Sequence, residues 1–518
     1  MVSWVHVAAG AALMLVGWLA ARWVARARSF SPVSALFLDG LVPVGTLLVL
    51  TLATGRPIFS GVVALAAFSG FAFADAEKRA ILREPVVFTD LAEIRGLFVH
   101  PHLYVGHLGA GTFAAIVAVI VAAMAAIFAF DPPLFVPPAA LVASALTAPV
   151  VVVTIIVMFF VPAWAELLRR YDPRPDEPAA DASRFGPFAV LGIHGVIARD
   201  ERNRRRGAVR PPVPTITRVD PAPPVILVQS ESFFDARRLM PSLGSDLLPA
   251  FDSVRSSGLQ WGRLAVPCWG ANTTRTEFSV LTGLPDGAIG FDRLNPYHAF
   301  AKTPVDSIAW RLKARGYRTI CVHPFDPKFY ARDRIMPMLG FDRFVDEGEF
   351  LGAERSGRYV SDRALAGFSD ELLRAHRDEP LFVFLITMEN HGPWEADEAA
   401  RGELPAALSG LAEAGALGSY LRALKNAGAM VAQLTRALLE DGRSGLLGFY
   451  GDHLPSFPRT FSALGFEETA TDYLIWRPGM TAARRADISA NELAGAILGG
   501  LPGGSGGAAA RASFVAGD

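Results

Sequence analysis

The chain has 518 residues and a formal net charge of −1, with 51% hydrophobic and 19% charged residues and a mean hydropathy of +0.32. Soluble domains have ~45–50% apolar and ~25% charged residues, so this balance indicates a membrane protein with a soluble part attached. The near-zero charge gives no support for nucleic-acid binding, and two cysteines exclude a disulfide-rich or cysteine-zinc domain.

The N-terminal third contains five long apolar runs with few charges. A helix needs about 20 apolar residues to cross a bilayer. We therefore predict five membrane spans, at 3–21, 34–54, 57–75, 110–130 and 139–163. The first run is not a cleaved signal peptide, because its arginines (Arg22, Arg26 and Arg28) follow the apolar residues rather than precede them.

Composition changes after the fifth span. Asp172–Ser183 is a Pro/Asp/Ala linker, and Phe185–Ile197 is apolar but too short to span, which predicts a helix in the membrane interface. A basic cluster follows. Its side chains either face solvent or contact anionic lipid headgroups, and the sequence favours neither alternative. Its members are Arg199, Arg202, Arg204, Arg205 and Arg206.

Three histidines, His100, His102 and His107, lie between the third and fourth predicted spans. No carboxylate or cysteine at a suitable spacing completes a metal-ligand set with them, which favours a loop at the membrane surface over a metal site.

These boundaries divide the chain into four predicted regions. Residues 1–165 form the transmembrane domain, and residues 166–223 form the interfacial helix and a basic, Pro-rich linker. Residues 224–498 form the soluble domain. The Gly/Ala-rich residues 499–518 form a flexible tail.

Short apolar runs alternate with helical stretches after residue 224. The predicted strands are Val225–Gln229, Arg318–Val322, Leu381–Thr387 and Leu446–Tyr450. The predicted helices are Pro304–Arg315, Asp362–His376 and Ser419–Glu440. This alternation predicts an α/β domain with helices on both faces of a sheet. Ligands of such sheets bind beyond the carboxyl ends of the strands, so the residues after each strand are the expected site.

Carboxylates and imidazoles follow all four predicted strands. The segments are Ser230-Glu231-Ser232, Val322-His323-Pro324, Glu389-Asn390-His391 and Gly451-Asp452-His453. Asp and Glu supply hard oxygen ligands and His a borderline nitrogen, a set that suits divalent cations. A single strand-end histidine is typical of a structural residue, but four such ends together predict a metal site.

The segment from Gly270 to Gly283 contains the candidate nucleophile. Thr274-x-x-Glu277 fits a capping box, which predicts a helix beginning at Thr274 with that hydroxyl bonded to the backbone. The hydroxyl of Thr273 is then free just ahead of the helix, where the positive end of the dipole favours an alkoxide and a phosphate. A bound metal would further favour deprotonation. The pattern alone is common, and most instances are plain caps.

Four segments, taken together in this order, resemble the lipoteichoic acid synthase-like group of the sulfatase/alkaline phosphatase superfamily. They are Gln229-Ser-Glu-Ser-Phe, Gly270-Ala-Asn-Thr-Thr-Arg-Thr-Glu-Phe, Glu389-Asn-His-Gly-Pro-Trp and Tyr450-Gly-Asp-His. The resemblance covers the whole plan of the chain. It implies a multi-pass α-helical membrane domain followed by an α/β sulfatase-like (alkaline phosphatase-like) catalytic domain.

The resemblance also implies roles for individual residues. One divalent metal, typically Mn²⁺ with Mg²⁺ or Zn²⁺ as alternatives, is held by a ligand set that matches Glu231, Thr273, Asp452 and His453. The threonine attacks phosphatidylglycerol, releases diacylglycerol and passes glycerophosphate to an acceptor, here an envelope glycan or lipid. The headgroup segment matches His323, Tyr330 (commonly Trp in the family) and Arg332, and the second active-site histidine matches His391.

Other activities fit the motifs less well. Phosphoethanolamine transferases share the threonine and the spans, but they usually carry several disulfides. Sulfatase-like hydrolases need a Cys or Ser in a C/S-x-P-x-R motif, which neither Cys268 nor Cys321 provides. A metal-dependent phosphodiesterase with two metal ions needs additional Asp and His ligands, which are not identified in this sequence. A membrane sensor that keeps the fold without turnover is the non-enzymatic alternative. Whether the two cysteines pair stays open.

The charge distribution and the resemblance predict opposite orientations. Lys and Arg residues near span ends fall after spans one, three and five, and the other side has only Arg56. The positive-inside rule therefore puts the catalytic domain in the cytoplasm. The resemblance implies a bacterial inner membrane protein with a periplasmic catalytic domain, which we favour because a large domain can override the rule.

Overall fold

The computed structural model describes residues 4–27, 33–92, 110–135, 138–159, 161–205, 222–480 and 483–501. Two compact units are present, Met1–Arg204 and Arg205–Asp518. The first is helical and the second is α/β, as the sequence predicts. The predicted histidine loop at 100–107, Arg206 and the tail beyond residue 501 lie outside the described residues.

The N-terminal unit begins with long apolar helices. Its helices are α1 (Trp4–Val24), α2 (Val33–Thr54), α3 (Pro57–Leu82), α4 (Ala110–Phe130), α5 (Pro138–Phe159), α6 (Ala163–Arg169), α7 (Pro178–Phe185) and α8 (Pro187–Arg205). By length and composition, α1, α2 and α3 can each cross a membrane. The fourth predicted span has the same bounds as α4, whereas the fifth, predicted to end at residue 163, extends four residues past the end of α5. Helix α3 runs seven residues past its predicted end at residue 75, where Arg79 pairs with Asp75 one turn away at 2.8 Å.

Helices α1 and α3 touch through glycines. A Cβ at Gly10 would lie 2.2 Å from the carbonyl oxygen of Pro57, and one at Gly61 would lie 2.4 Å from that of Gly10. Small residues at such contacts let two helix backbones approach closely inside a membrane.

The carboxylate of Asp39, fully buried in α2, anchors the start of α8. It accepts hydrogen bonds from Trp18 Nε1 and Arg22 Nη1, both at 2.7 Å. It also accepts from the amides of Phe188 and Ala189, at 2.8 and 3.1 Å. A carboxylate at this end satisfies amides that have no partner within the helix and complements the helix dipole.

The segment after the last span contains more helix than the sequence predicts. The expected linker at Asp172–Ser183 is wrong in its second half, which belongs to α7. The predicted apolar helix at Phe185–Ile197 is split between α7 and α8 at Gly186, whose φ of 100° breaks the helix. Its apolar side chains, including Phe188 and Ile193, are buried within the unit.

The C-terminal unit is built on one large sheet. Its strands are β1 (Val225–Ser230), β2 (Gln260–Ala265), β3 (Arg318–Val322), β4 (Arg343–Val345), β5 (Arg355–Ser356), β6 (Tyr359–Val360), β7 (Leu381–Ile386), β8 (Leu446–Gly451), β9 (Thr471–Trp476), β10 (Arg484–Arg485) and β11 (Ile488–Ser489). Among the described residues, nine strands form this sheet in the order β10-β2-β9-β8-β1-β7-β3-β4, with β11 also on β2. The strands β5 and β6 form a separate hairpin.

Helices cover both faces of the sheet. They are α9 (Pro249–Ser256), α10 (Thr273–Thr282), α11 (Pro296–Phe300), α12 (Ile308–Lys313), α13 (Arg332–Met338), α14 (Asp362–Ala375), α15 (Glu398–Gly402), α16 (Ala406–Ser409), α17 (Ala414–Asp441), α18 (Pro458–Leu464) and α19 (Ala490–Gly499). Short 3₁₀ turns lie at Phe88–Ala92, Ala236–Arg238, Pro241–Leu243, Asp286–Leu294, Phe329–Ala331 and Glu347–Phe350.

The two faces of the sheet carry two separate apolar cores. Along β1, Ile226 and Val228 belong to one core, and Val225 and Leu227 belong to the other. A strand buried on both faces reads as a continuous apolar run, which is why β1, β3, β7 and β8 are recognisable in the sequence.

Candidate active site

Four neighbouring strands direct the site residues to one edge of the sheet. Strands β8, β1, β7 and β3 lie side by side in that order and are mutually parallel. Their carboxyl ends are followed by Asp452-His453, Glu231, His391 and His323. All of these residues are buried except His391, which is partly exposed.

Glu231, Asp452 and His453 form a compact group of potential metal ligands. One ligand atom from each lies within 4.8 Å of the others. His453 Nε2 lies 3.4 Å from Glu231 Oε1 and 3.2 Å from Asp452 Oδ2. His453 Nδ1 lies 3.0 Å from the carbonyl oxygen of Leu454 and donates to it, which leaves the Nε2 lone pair for the cluster.

The electrostatics of this group fit a cation. Burial and the charge of Asp452 raise the pKa of Glu231 to about 8, because two carboxylates share a site removed from water. Asp452 Oδ2 is buried and has no hydrogen-bond partner among the described residues. The cluster thus combines carboxylate oxygens with one imidazole nitrogen and holds two carboxylates close together. A divalent cation suits such a ligand set because it would offset their negative charge.

Ser232 orients two of these ligands and was missed by the sequence reasoning. Its amide donates to Asp452 Oδ1 at 2.9 Å, and its hydroxyl donates to Glu231 Oε1 at 2.9 Å. Both contacts come from a residue with φ of +54°, a left-handed conformation that side chains other than Gly seldom adopt. Its place directly after Glu231 was the only signal in the sequence.

Thr273 lies beside the cluster. Its Oγ1 is 3.3 Å from His453 Nε2. Helix α10 begins at Thr273 itself, so the predicted start at Thr274 is one residue late, and the cap is Asn272, which has φ of +83° and no side-chain capping bond. Thr276 Oγ1 donates to the carbonyl oxygen of Asp452 at 2.7 Å, which attaches the helix to the ligand loop.

The predicted capping box is wrong, because the carboxylate of Glu277 points into the protein interior. It accepts hydrogen bonds from Gln229 Nε2 at 2.8 Å, from the hydroxyl of Tyr297, and from Arg332 Nη2 at 2.7 Å. Glu277 is 0% exposed and Arg332 is 2% exposed. A buried guanidinium needs a buried partner, and this requirement outweighs a local cap.

Arg332 and His323 lie side by side. Arg332 Nη1 is 3.1 Å from His323 Nε2, and His323 Nδ1 is 3.4 Å from the carbonyl oxygen of Ile386. This assigns the proton to Nδ1 and the lone pair to Nε2. Burial and the charge of Arg332 hold the pKa of His323 well below its usual value, so the ring is neutral at pH 7.

Tyr330, seven residues after His323, borders this pair. The Tyr330 ring centre lies 5.5 Å from Arg332 Cζ. Tyr330 and the following Ala331 both have φ of +54°, and helix α13 begins immediately afterwards at Arg332. Two successive left-handed residues turn the chain so that the guanidinium enters the interior.

His391 is fixed by its own loop. Its Nδ1 donates to the carbonyl oxygen of Gly392, which leaves Nε2 as the lone-pair nitrogen. The ring is partly exposed, yet its desolvation by the surrounding protein lowers the pKa of His391 below the usual value for histidine. The ring lies 5.8 Å from that of Tyr359.

The two cysteines do not form a disulfide. Both Cys268 and Cys321 are buried thiols. Cys268 Sγ lies 3.6 Å from Thr276 Oγ1, and Cys321 lies inside β3. Burial raises the pKa of Cys321 well above its usual value, so this thiol is unreactive.

Comparison with known proteins identifies relatives of this unit. A family model described as Sulfatase matches residues 223–503. The capsular polysaccharide biosynthesis protein RkpI of Rhizobium meliloti (strain 1021) is 31% identical over 433 residues, covering 81% of this chain and 77% of RkpI. A candidate cyclic β-1,2-glucan modification protein of the same organism is 30% identical over 269 residues, which cover 50% of this chain and 40% of that protein.

A solved structure shares the plan of the whole chain. The integral membrane lipooligosaccharide phosphoethanolamine transferase A of Neisseria meningitidis superposes with a TM-score of 0.52 over 95% of each chain, at 14% sequence identity. The similarity at this identity concerns the fold: apolar helices followed by a sulfatase-like α/β domain.

Proposed function

Because this chain belongs to the sulfatase family, we propose that it is a membrane-bound phosphotransferase that moves glycerophosphate from phosphatidylglycerol to an envelope glycan. The observation that carries the proposal is the position of Thr273 Oγ1, 3.3 Å from His453 Nε2 at the edge of the ligand cluster. The names of both Rhizobium relatives refer to polysaccharides or glucans, which favours a glycan over a lipid as acceptor.

Glu231, Asp452, His453 and Thr273 would hold one divalent ion, for which we propose Mn²⁺, with Mg²⁺ and Zn²⁺ as alternatives. When bound, the ion would supply positive charge that favours the alkoxide of Thr273 and offsets the charge of the phosphate.

The transfer occurs in two displacements at phosphorus. Thr273 Oγ1 forms a bond to the phosphorus of phosphatidylglycerol, the bond to the diacylglycerol oxygen breaks, and the proton of the threonine hydroxyl passes to that oxygen. An acceptor hydroxyl then bonds to the same phosphorus, and the bond between phosphorus and Thr273 Oγ1 breaks. His391 takes the proton of the acceptor at Nε2 and passes it to Thr273 Oγ1, which restores the hydroxyl; its ring is neutral because it is desolvated, and its Nδ1 proton is donated to Gly392.

Arg332 and His323 recognise the headgroup. In the structure, Arg332 Nη1 donates to His323 Nε2 at 3.1 Å. When the donor lipid binds, a glycerol hydroxyl replaces this bond by accepting from Nη1 and donating to Nε2, and the second N–H of Nη1 donates to a phosphate oxygen. An ethanolamine group would bring an ammonium beside a buried guanidinium, and this like-charge contact disfavours phosphatidylethanolamine. Tyr330 contributes its ring at the side of the same group.

We place the catalytic unit on the periplasmic side of a bacterial inner membrane, with five spans. The positive-inside count is weaker than the sequence suggests, since Arg22 is buried against Asp39 and is not available to lipid headgroups. A periplasm-active reporter fused after Asp518 tests the orientation. Reporter activity is expected, and a reporter active only in the cytoplasm would reverse it.

The donor is tested with purified full-length protein in mixed micelles that contain Mn²⁺ and either phosphatidylglycerol or phosphatidylethanolamine. We expect diacylglycerol from phosphatidylglycerol only, and glycerophosphate-modified glycans in the envelope of cells that carry the gene. Preference for phosphatidylethanolamine would identify a phosphoethanolamine transferase, and release to water alone a phosphodiesterase or other sulfatase-like hydrolase. A protein that binds metal yet turns over neither lipid would be a membrane sensor.

A further inference from the structure

A buried polar network lies beneath the headgroup residues, centred on Glu277. Its carboxylate receives four hydrogen bonds: one from Gln229, one from Tyr297 and two from Arg332. The hydroxyl of Tyr450 donates to Gln229 Oε1, which fixes the direction of that amide. Of the proposed catalytic, headgroup-binding and metal-binding residues, only Arg332 bonds to this carboxylate.

The network fixes one side of the guanidinium and leaves the other side for the site. Arg332 uses Nε (3.3 Å) and Nη2 (2.7 Å) on the two carboxylate oxygens of Glu277. This fork leaves Nη1, which lies 3.1 Å from His323 Nε2. A planar guanidinium held at two nitrogens cannot rotate, so the position of Nη1 is set by Glu277.

Apart from Arg332 itself and Tyr297, which lies on α11, the members of the network come from segments that also carry a site residue. Gln229 lies two residues before Glu231 on β1, and Tyr450 lies two residues before Asp452 on β8. Glu277 lies one helical turn after Thr273 on α10. A displacement of Arg332 relative to the nucleophile would therefore break at least one buried hydrogen bond.

We infer that Glu277 is a positioning residue that holds Arg332 Nη1 beside His323 Nε2 and thereby selects a donor with an uncharged polyol headgroup. The inference deepens the proposed function and rests on it. Nη1 is the donor and the histidine nitrogen the acceptor of a 3.1 Å hydrogen bond, and a glycerol hydroxyl can replace this bond because it accepts from the first and donates to the second. An ammonium group has donors only and would face the fixed guanidinium.

The network also keeps Glu277 from acting as a counter-charge for a cationic headgroup. Its carboxylate is fully enclosed and bonded to Arg332, so the pair presents a cationic nitrogen toward His323 rather than a carboxylate oxygen. Loss of the Glu277 charge would free the guanidinium to rotate. Arg332 Nη1 would then no longer be fixed relative to His323 Nε2, although every group that touches the substrate would still be present.

The test is a double-substitution cycle between Glu277 and Arg332 in the full-length protein, with Mn²⁺ and phosphatidylglycerol micelles. Glu277→Gln should lower kcat/KM by about 100-fold, the loss typical of a misplaced binding group. In an Arg332→Ala background the same change should cost less than about threefold, because the group that it positions is gone. The weak activities of the variants that contain Arg332→Ala are measured by long incubation, followed by mass spectrometry of the products.

The matched control is Asp441→Asn. Asp441 binds Arg443 Nε and Nη2, both at 2.9 Å, just before β8 begins and so at the opposite end of the sheet from the site. Its loss should lower the melting temperature and leave kcat/KM within about threefold of the wild type. If the Glu277→Gln protein does not accumulate in cells, Glu277→Asp replaces it in the test. This variant keeps the negative charge but has a side chain shorter by one methylene group. Its loss of kcat/KM should likewise be large with Arg332 present and small in the Arg332→Ala background.

The outcomes separate the inference from the proposed function. A wild type that ignores phosphatidylglycerol refutes the proposed donor, and the selectivity with it. A wild type that consumes phosphatidylglycerol while Glu277→Gln behaves like Asp441→Asn refutes the positioning role alone. Equal losses in both Arg332 backgrounds would also refute it. A reduced preference of Glu277→Gln for phosphatidylglycerol over phosphatidylethanolamine supports it.

Discussion

The backbone amide of Ser232 lies 2.9 Å from Asp452 Oδ1 and joins the chain just beyond β1 to the chain just beyond β8. The hydroxyl of the same residue holds Glu231. Two carboxylates of the ligand cluster are thus oriented by a residue that does not belong to it. Second-layer partners of this kind commonly contribute 10–100-fold to metal affinity.

Ser232→Ala should therefore weaken Mn²⁺ binding by about tenfold or more, since it removes the bond to Glu231 and keeps the amide bond to Asp452. Calorimetric titration of metal-depleted protein measures the change. Unaltered affinity would show that the hydroxyl does not orient Glu231.

Asp452→Ala should abolish both metal binding and turnover. Asp452 Oδ2 is buried without a hydrogen-bond partner among the described residues, so its loss removes a ligand without breaking a structural bond at that atom. Elemental analysis together with circular dichroism measures metal content and fold. The assignment fails if the variant keeps its metal.

Thr273→Ala should abolish turnover with little effect on stability, whereas Thr274→Ala should retain it. The reason is the 3.3 Å contact between Thr273 Oγ1 and His453 Nε2, and no longer the capping box, which does not form. Incubation with donor and no acceptor should add one glycerophosphoryl mass to the peptide that contains Thr273. An adduct mapped to Thr274 would reassign the nucleophile.

His323 should make stability fall in acid. Its folded pKa lies well below the unfolded value of about 6.5, mainly because it is buried, so its contribution is complete above pH 6.5 and is lost as pH falls toward the folded pKa. In that interval the wild-type free energy of unfolding should decrease by about 1.4 kcal/mol per pH unit more than that of His323→Gln. Denaturant titrations in detergent at pH 7.5 and 5.5 make the comparison, and parallel slopes would contradict it.

Asp39→Asn should destabilise the N-terminal unit by about 3–5 kcal/mol, because it leaves Arg22 buried without its counter-charge. Adding Arg22→Gln should restore part of the loss. Gly186→Ala should act in the same direction, since its Cβ would lie 2.3 Å from the Asp39 carboxylate carbon. Proteolysis near α8, followed by gel electrophoresis, measures the loosening, and equal resistance in all variants would refute the anchor.

The central strands were predictable and the outer ones were not, for a physical reason. Strand β7 is buried on both faces, so every residue from Leu381 to Ile386 is apolar. Strand β2 lies toward the edge and is partly exposed, and its sequence, Gln-Trp-Gly-Arg-Leu-Ala, carries no apolar run. Its place in the sheet comes from antiparallel pairing with β9, which sequence alone does not reveal.

The site residues nearest the strand ends could likewise be placed from the sequence, but their supports could not. Glu277 fits a local cap and instead binds Arg332, 55 residues away. Gln229 was the available signal, since a polar side chain that ends an apolar strand needs a buried partner. Which partner it finds depends on the packing of α10 and α13 and has no local signature.

The two buried thiols provide the molecule with internal reporters of opening. Cys268 lies five residues before Thr273 and contacts the same helix, whereas Cys321 is 0% exposed within strand β3. A thiol reagent can reach Cys268 when the segment around Thr273 detaches, but it reaches Cys321 only when the sheet itself opens. The ratio of the two labelling rates therefore compares, in the unmodified chain, the local stability of the segment around Thr273 with the stability of the whole domain.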